Sequence, residues 1–96
     1  MIKNMYLEIV SPEATLFSGE VSSVTVPGVN GEFQMLQNHA PVLSLLQAGD
    51  VKIQGDLKID EDFQHKFTIG NNGETILAIS SGTIEMKANK IIVLAD

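Results

Sequence analysis

The sequence predicts an all-β protein, a sandwich or barrel of short strands, on three observations. Apolar residues recur with period two in segment after segment. Turn-forming residues punctuate these segments at intervals of roughly 8–12 residues. No stretch carries the 3.6-residue periodicity of an amphipathic helix.

Along the chain, Leu7 and Ile9 alternate with Glu8, Val24 and Val26 flank Thr25, and Val51 and Ile53 flank Lys52. Phe63, His65, Phe67 and Ile69 share one parity while Gln64, Lys66 and Thr68 share the other, and Ile84 and Met86 flank Glu85. Each segment reads as a strand with one buried face, because successive side chains on a strand point to opposite sides. Residues 76–79 and 91–95 are apolar at every position. Their length and β-branching favour interior strands covered on both sides over buried helical segments. Residues 41–46, Pro-Val-Leu-Ser-Leu-Leu, are expected to form at most one helical turn.

Turns are expected at Pro27-Gly28, Asn30-Gly31, 48–50, Gly55-Asp56, 71–73, Ser81-Gly82 and Ala88-Asn89. Asn71-Asn72-Gly73 lies between two strand patterns and reads as a hairpin, since Asn and Gly tolerate positive φ. The chain of 96 residues suits one domain over residues 1–96, with no repeat, linker or low-complexity tract.

Composition excludes several functions. The net charge is −6 and no arginine is present. Nucleic-acid binding needs clustered cations, and anionic lipid repels such a chain. No arginine finger is available for phosphoryl transfer. The absence of cysteine rules out disulfides, thiolate metal sites and cysteine nucleophiles. Asn4 and Glu8 interrupt any signal-peptide apolar region, and the longest apolar run, 91–95, falls far short of the roughly 20 residues that span a bilayer. Membrane association is therefore expected only through another protein.

The candidate chemistry is sparse. Neither a P-loop nor a dinucleotide fingerprint occurs, so the spaced glycines at 28–31 and 70–73 read as turn glycines. Asp60-Glu61-Asp62, with Asp56 nearby, lacks the alternate spacing of a calcium loop and reads as a solvated loop. His65 shares parity with Phe63 and Phe67 and reads as a structural histidine, inward or at a sheet rim. His39 sits in a loop before Pro41, where it could meet a partner. No nucleophile elbow is present. A sugar-binding sandwich would display aromatic platforms, yet aromatics are 5% with no Trp, and Phe33, Phe63 and Phe67 read as core. No catalytic, metal or cofactor site is expected. The residues alone support an acidic β-sandwich acting as a binding or assembly module.

Three segments carry a resemblance. The first is residues 11–21, Ser-Pro-Glu-Ala-Thr-Leu-Phe-Ser-Gly-Glu-Val. The second joins Val26-Pro27-Gly28, Gly31-Glu32-Phe33 and Asn38-His39-Ala40-Pro41-Val42-Leu43, closing at Gly49. The third runs from Ser81-Gly82-Thr83-Ile84-Glu85-Met86 through Asn89 to Val93-Leu94-Ala95-Asp96. Their order and spacing resemble the N-terminal domain of the F-type ATP synthase epsilon subunit family (delta in mitochondrial naming), and 52–68 is the least diagnostic stretch.

The resemblance implies a ten-stranded β-sandwich and a noncatalytic central-stalk part. It would bind the gamma subunit and the polar loops of the c-ring, without homo-oligomerising, peripherally on the cytoplasmic face of the bacterial inner membrane. By matching position, Gly31 and Glu32 would face the c-ring, with Glu32 opposite a basic loop, and Ser11, His39 and Ser44 would lie toward gamma. Each also has a plainer role available: Glu32 as a surface carboxylate, Ser11 as a turn former, His39 as an organiser of its loop and Ser44 as a strand residue. Longer family members continue into an inhibitory, ATP-sensing helical hairpin. This sequence stops at its last strand, so neither property is expected, and the Met1 start reads as native.

Overall fold

The computed structural model describes residues 5–96, and the sequence reading of residues 1–4 falls outside them. Ten strands make up the described chain: β1 (Met5–Val10), β2 (Thr15–Val21), β3 (Ser23–Gly28), β4 (Gly31–Met35), β5 (Val42–Leu46), β6 (Gly49–Gln54), β7 (Phe67–Ile69), β8 (Thr75–Ile79), β9 (Gly82–Lys87) and β10 (Lys90–Ala95). They are hydrogen-bonded in the order β2-β1-β10-β9-β5-β3-β6-β8-β7, with β4 on the other side of β3. The sheet thus falls into two five-stranded layers, β2-β1-β10-β9-β5 and β4-β3-β6-β8-β7. The layers fold over one another around a single apolar cluster. The result is the sandwich expected from the sequence, with its layers joined along one corner.

That corner explains the connectivity. β5 pairs along its length with β9, whereas β6, only two residues further on, pairs with β3 and β8. The chain therefore changes layers at Gln47-Ala48, as sandwich corners commonly do at a bend. Contact between β3 and β5 narrows to Gly28 opposite Leu46, supported by Gln47 N–H donating to Pro27 C=O at 2.9 Å. Pro27-Gly28 is consequently the end of a strand, not the turn that its residue types suggest. The turn lies just beyond, at Val29-Asn30, and closes on Gly31 at φ +125, a conformation that L side chains rarely adopt.

The interior follows strand parity. Met5, Leu7 and Ile9 of β1, Ile84 and Met86 of β9, and Ile91 and Val93 of β10 are buried in one layer. Val24, Val26, Met35, Val51, Ile53 and Leu77 are buried in the other. The first and last strands lie side by side and parallel, Tyr6 opposite Lys90 and Val10 opposite Leu94. Two hairpins close as their sequences suggest. Gly73 adopts φ +80 between β7 and β8, and Ala88 and Asn89 both adopt positive φ between β9 and β10, the pattern of a type I′ turn.

Three further expectations are corrected. Residues 63–69 are not one strand: Gln64–Lys66 form a 3-10 turn, and β7 begins only at Phe67. Phe63 and Phe67 both pack against the core from either side of that turn, which leaves His65 exposed rather than inward or structural. Residues 42–46 form a strand instead of a helical turn, because pairing with β9 outweighs the helix preference of leucine. Residues 76–79 and 91–95 are interior by pairing but covered on one face only. Ala78 and Leu94 point to solvent, and Ile76 and Ile92 are half-buried.

Close backbone approach at the corner makes a prediction. Gly82 pairs with Leu46 and Ala95, and a Cβ there would overlap the Leu94 carbonyl oxygen. Gly82→Ala should lower stability by about 1–3 kcal/mol, the usual cost of overpacking. Urea or thermal unfolding measures it, and an unchanged midpoint would mean that the corner has slack.

Candidate partner interface

Among the expected site residues, Gly31 and Glu32 stay together at the tip of the β3–β4 hairpin, both exposed. Glu32 stands opposite Pro27 and forms an ion pair with Lys52 at 3.2 Å, an intramolecular partner that sequence reading did not foresee. Lys52 reaches it because β6 and β4 flank β3 on either side.

Ser11 ends β1. Its hydroxyl donates to Ala14 C=O at 3.2 Å and accepts from Ala14 N–H at 3.3 Å, so its polar capacity is engaged in its own turn. It borders a cleft of about 460 Å³ at the mouth of the sandwich, with Leu16, Lys66, Leu77 and Ile79.

His39 is half-buried in the β4–β5 loop, where its backbone N–H donates to Leu36 C=O at 3.0 Å. Its Nδ1 lies 2.7 Å from Ala40 C=O. A carbonyl only accepts, so Nδ1 carries the proton and a neutral ring offers Nε2 as an acceptor to a partner.

Ser44 lies in mid-β5, half-buried, and its Oγ donates to Leu45 C=O at 3.2 Å. Along β5 the parity splits the chain: Val42, Ser44 and Leu46 face inward, while Leu43 and Leu45 face out.

These residues do not form one spot. Along β10 the distance from Lys90 to Leu94 is roughly 13 Å by strand rise. Ser11 follows the Val10–Leu94 pair, while the His39 loop meets Asn89, just before the Lys90–Tyr6 pair. Ser11 and His39 therefore occupy opposite ends of one layer. The Val29-Asn30 turn lies at the Ser11 end, since Val29 borders one depression with Ser81, Leu94 and Asp96.

What sequence reading missed is apolar. Leu43 is 79% exposed and Leu45 63%, with Leu94 and Val29 each about half exposed. Register puts Leu45 and Leu94 on either side of Thr83, and Leu43 and Ile92 on either side of Glu85. Val29 N–H donates to Leu45 C=O at 3.3 Å, which holds the β3–β4 turn against the same ridge. The ridge was hidden because consecutive apolar residues at 42, 43, 45 and 46 erase the alternation that marks a half-buried strand. Thr83 and Glu85 lie between its members, and Ser81 and Asp96 border its end. An exposed apolar cluster with polar residues at its margin is a usual mark of a protein–protein contact.

A charge prediction follows from the Glu32–Lys52 pair, whose side chains are 54% and 39% exposed. A double-mutant cycle with Glu32→Ala and Lys52→Ala should give a coupling below about 1 kcal/mol. The coupling should shrink further in 0.5 M salt; a large, salt-independent value would contradict the geometry.

Residues 4–96 match the model of the family described as ATP synthase, Delta/Epsilon chain, beta-sandwich domain. The ATP synthase epsilon chain of Campylobacter curvus (strain 525.92) is 38% identical over 92 residues, covering 96% of this chain and 60% of that one. The ATP synthase epsilon chain of Chlorobaculum tepidum is 36% identical over 94 residues, covering 98% of this chain and 91% of that one. The sequence thus spans about three-fifths of the Campylobacter relative but nearly all of the Chlorobaculum one. Among solved structures, a chain of the Tetrahymena thermophila mitochondrial ATP synthase central stalk and c-ring superposes with a TM-score of 0.72 at 14% identity, covering 97% of this chain and 63% of that one. A chain of the Euglena gracilis mitochondrial enzyme gives 0.73, also at 14%, covering 99% and 52%. These two likenesses concern the fold alone. On the family match and the identity to curated epsilon chains, this chain belongs to the F-type ATP synthase epsilon subunits, as their N-terminal β-sandwich domain.

Proposed function

We propose that the chain is a noncatalytic rotor part, holding the gamma subunit to the c-ring so that ion-driven rotation reaches the catalytic head. The observation that carries this reading is the leucine ridge on β5. Four apolar side chains, Val29, Leu43, Leu45 and Leu94, stand in solvent on one face of a chain with net charge −6. Burying them against gamma supplies the affinity, since buried apolar anchors dominate most interfaces. His39 lies in the loop that leads into β5, Ser44 sits between the two ridge leucines on the opposite face of that strand, and Ser11 marks the far end of the same layer.

The c-ring contact is assigned to the Gly31-Glu32 hairpin tip. Glu32 already has Lys52 beside it, so a basic ring loop would share the carboxylate with a resident cation. Such a contact positions more than it binds. Together the two surfaces transmit torque through a body that resists shear, because cross-strand bonds and a packed interior link residues far apart in sequence. The protein would sit peripherally on the cytoplasmic face of the inner membrane, one copy per rotor, held there by the ring. One solved structure that shares this fold is a chain of a mitochondrial ATP synthase central stalk and c-ring, which is the setting this reading requires.

Co-expression with its cognate gamma subunit should yield a stable one-to-one complex. Leu45→Glu should weaken that complex by at least about 2 kcal/mol, as expected for loss of a buried anchor. Glu32→Ala should change it by less than about 1 kcal/mol. Persistent failure of the folded wild-type chain to bind gamma would remove the basis of the assignment.

A further inference from the structure

Two loops separated by 51 positions in sequence are fastened by a reciprocal pair of asparagines. Asn38, in the β4–β5 loop, donates its backbone N–H to Asn89 Oδ1 at 2.6 Å. Asn89, at the tip of the β9–β10 hairpin, donates through Nδ2 to Asn38 Oδ1 at 3.1 Å. Both residues adopt the left-handed conformation, with φ 67 and φ 63. Glycine meets that backbone demand at least as well. The turn conformation therefore does not by itself call for asparagine at either position, and what the side chains add is the link between the loops.

The link has a visible consequence. It fixes the chain one residue before His39, whose own N–H and Nδ1 are tied to Leu36 and Ala40 within the loop. The loop runs from Leu36, 52% exposed, through Pro41 into β5 and its exposed Leu43 and Leu45. The β9–β10 hairpin is anchored in turn by Asn89 C=O, which accepts from Tyr6 N–H at 2.8 Å. A single connection thus ties the entrance of the leucine ridge to the strand pair at the centre of its layer. Both hydrogen bonds lie at the surface, where a loop bond adds little to global stability, so they are better placed to order the loop than to support the fold.

We propose that the Asn38–Asn89 pair is a positioning staple that holds the 36–41 loop and the head of β5 in their docking-competent arrangement before gamma arrives. The proposal rests on the rotor reading above and adds residues which that reading does not need. A partner that binds a prearranged loop does not have to order it. If the unstapled loop spends only a tenth of its time in the competent arrangement, apparent affinity falls tenfold with every contact residue intact.

The test uses the full chain, its cognate gamma subunit and three variants. Asn89→Gly and Asn38→Gly keep the left-handed turns and remove one side chain each. Asn89→Asp keeps an oxygen for the Asn38 N–H and loses only the Nδ2 donor. Amide hydrogen exchange of Asn38 reads the staple directly, titration with gamma reads docking, and thermal unfolding checks the fold. Asn89→Gly is expected to speed Asn38 exchange at least tenfold and to weaken gamma binding about tenfold, with a melting shift of only a few degrees. Asn89→Asp should restore most of both losses. If wild type binds gamma and Asn89→Gly binds equally well despite faster exchange, the staple proposal fails and the rotor reading stands. If Asn38 exchange is unchanged in Asn89→Gly, the staple itself is refuted. If the wild-type chain does not bind gamma, the rotor reading fails and takes this proposal with it.

Discussion

Burial of one face of every layer in a shared interior is the constraint from which the rest of this protein follows. Leu7, Ile9, Ile84 and Ile91 meet Val26, Val51, Ile53 and Leu77 in one apolar cluster, most of them fully shielded from water. Burial of such side chains stabilises by about 1.5–3 kcal/mol each, so strand register is tightly held wherever they occur. Register in turn decides which residues remain for a partner. On β5 the inward set is Val42, Ser44 and Leu46, and a slip of one position would bury Leu43 and Leu45 and expose Leu46. The docking ridge is thus the remainder left by the core.

The same constraint separates the two proposed contacts. The chain changes layers at Gln47-Ala48, so β5 belongs to one layer and β3, β4 and β6 to the other. Leu43, Leu45 and Leu94 of the ridge lie on the first, and Val29 reaches them from the β3–β4 turn. The Glu32–Lys52 pair lies on the second, and the corner at Gly28, Leu46 and Gly82 joins them at close backbone range. A load applied to the hairpin tip passes through that corner into β5 and β9 without crossing a flexible linker. Small residues at the corner permit the approach that makes the joint stiff.

Much of the architecture was legible in the sequence because each buried face writes a period of two. Leu7/Ile9, Val24/Val26, Val51/Ile53 and Ile84/Met86 all proved to be inward pairs. The 63–69 segment misled because Phe63 and Phe67, four apart, satisfy an alternating strand and a turn equally well. Asp60 Oδ1 accepts from Asp62 N–H at 2.9 Å, a side-chain bond that favours a turn over a strand, and the acidic composition before Phe63 was the available signal. The leucine ridge escaped notice for a different reason. Apolar residues that face a partner look in sequence like apolar residues that face a core. The asparagine staple was not legible at all, since it joins loops that only the paired strands bring together. His39, Ser11 and Glu32 could be pointed to by resemblance, but their present partners, Ala40, Ala14 and Lys52, are properties of the folded chain.

The claim that β5 forms the face buried in the rotor is tested most directly by amide hydrogen exchange across the whole chain, alone and in complex with gamma. The account predicts added protection concentrated at residues 36–46 and 82–86, with the 70–74 hairpin on the far edge of the other layer unchanged. Protection confined to 70–74 and β7, with residues 36–46 exchanging as in the free chain, would place the interface on the wrong layer and contradict it.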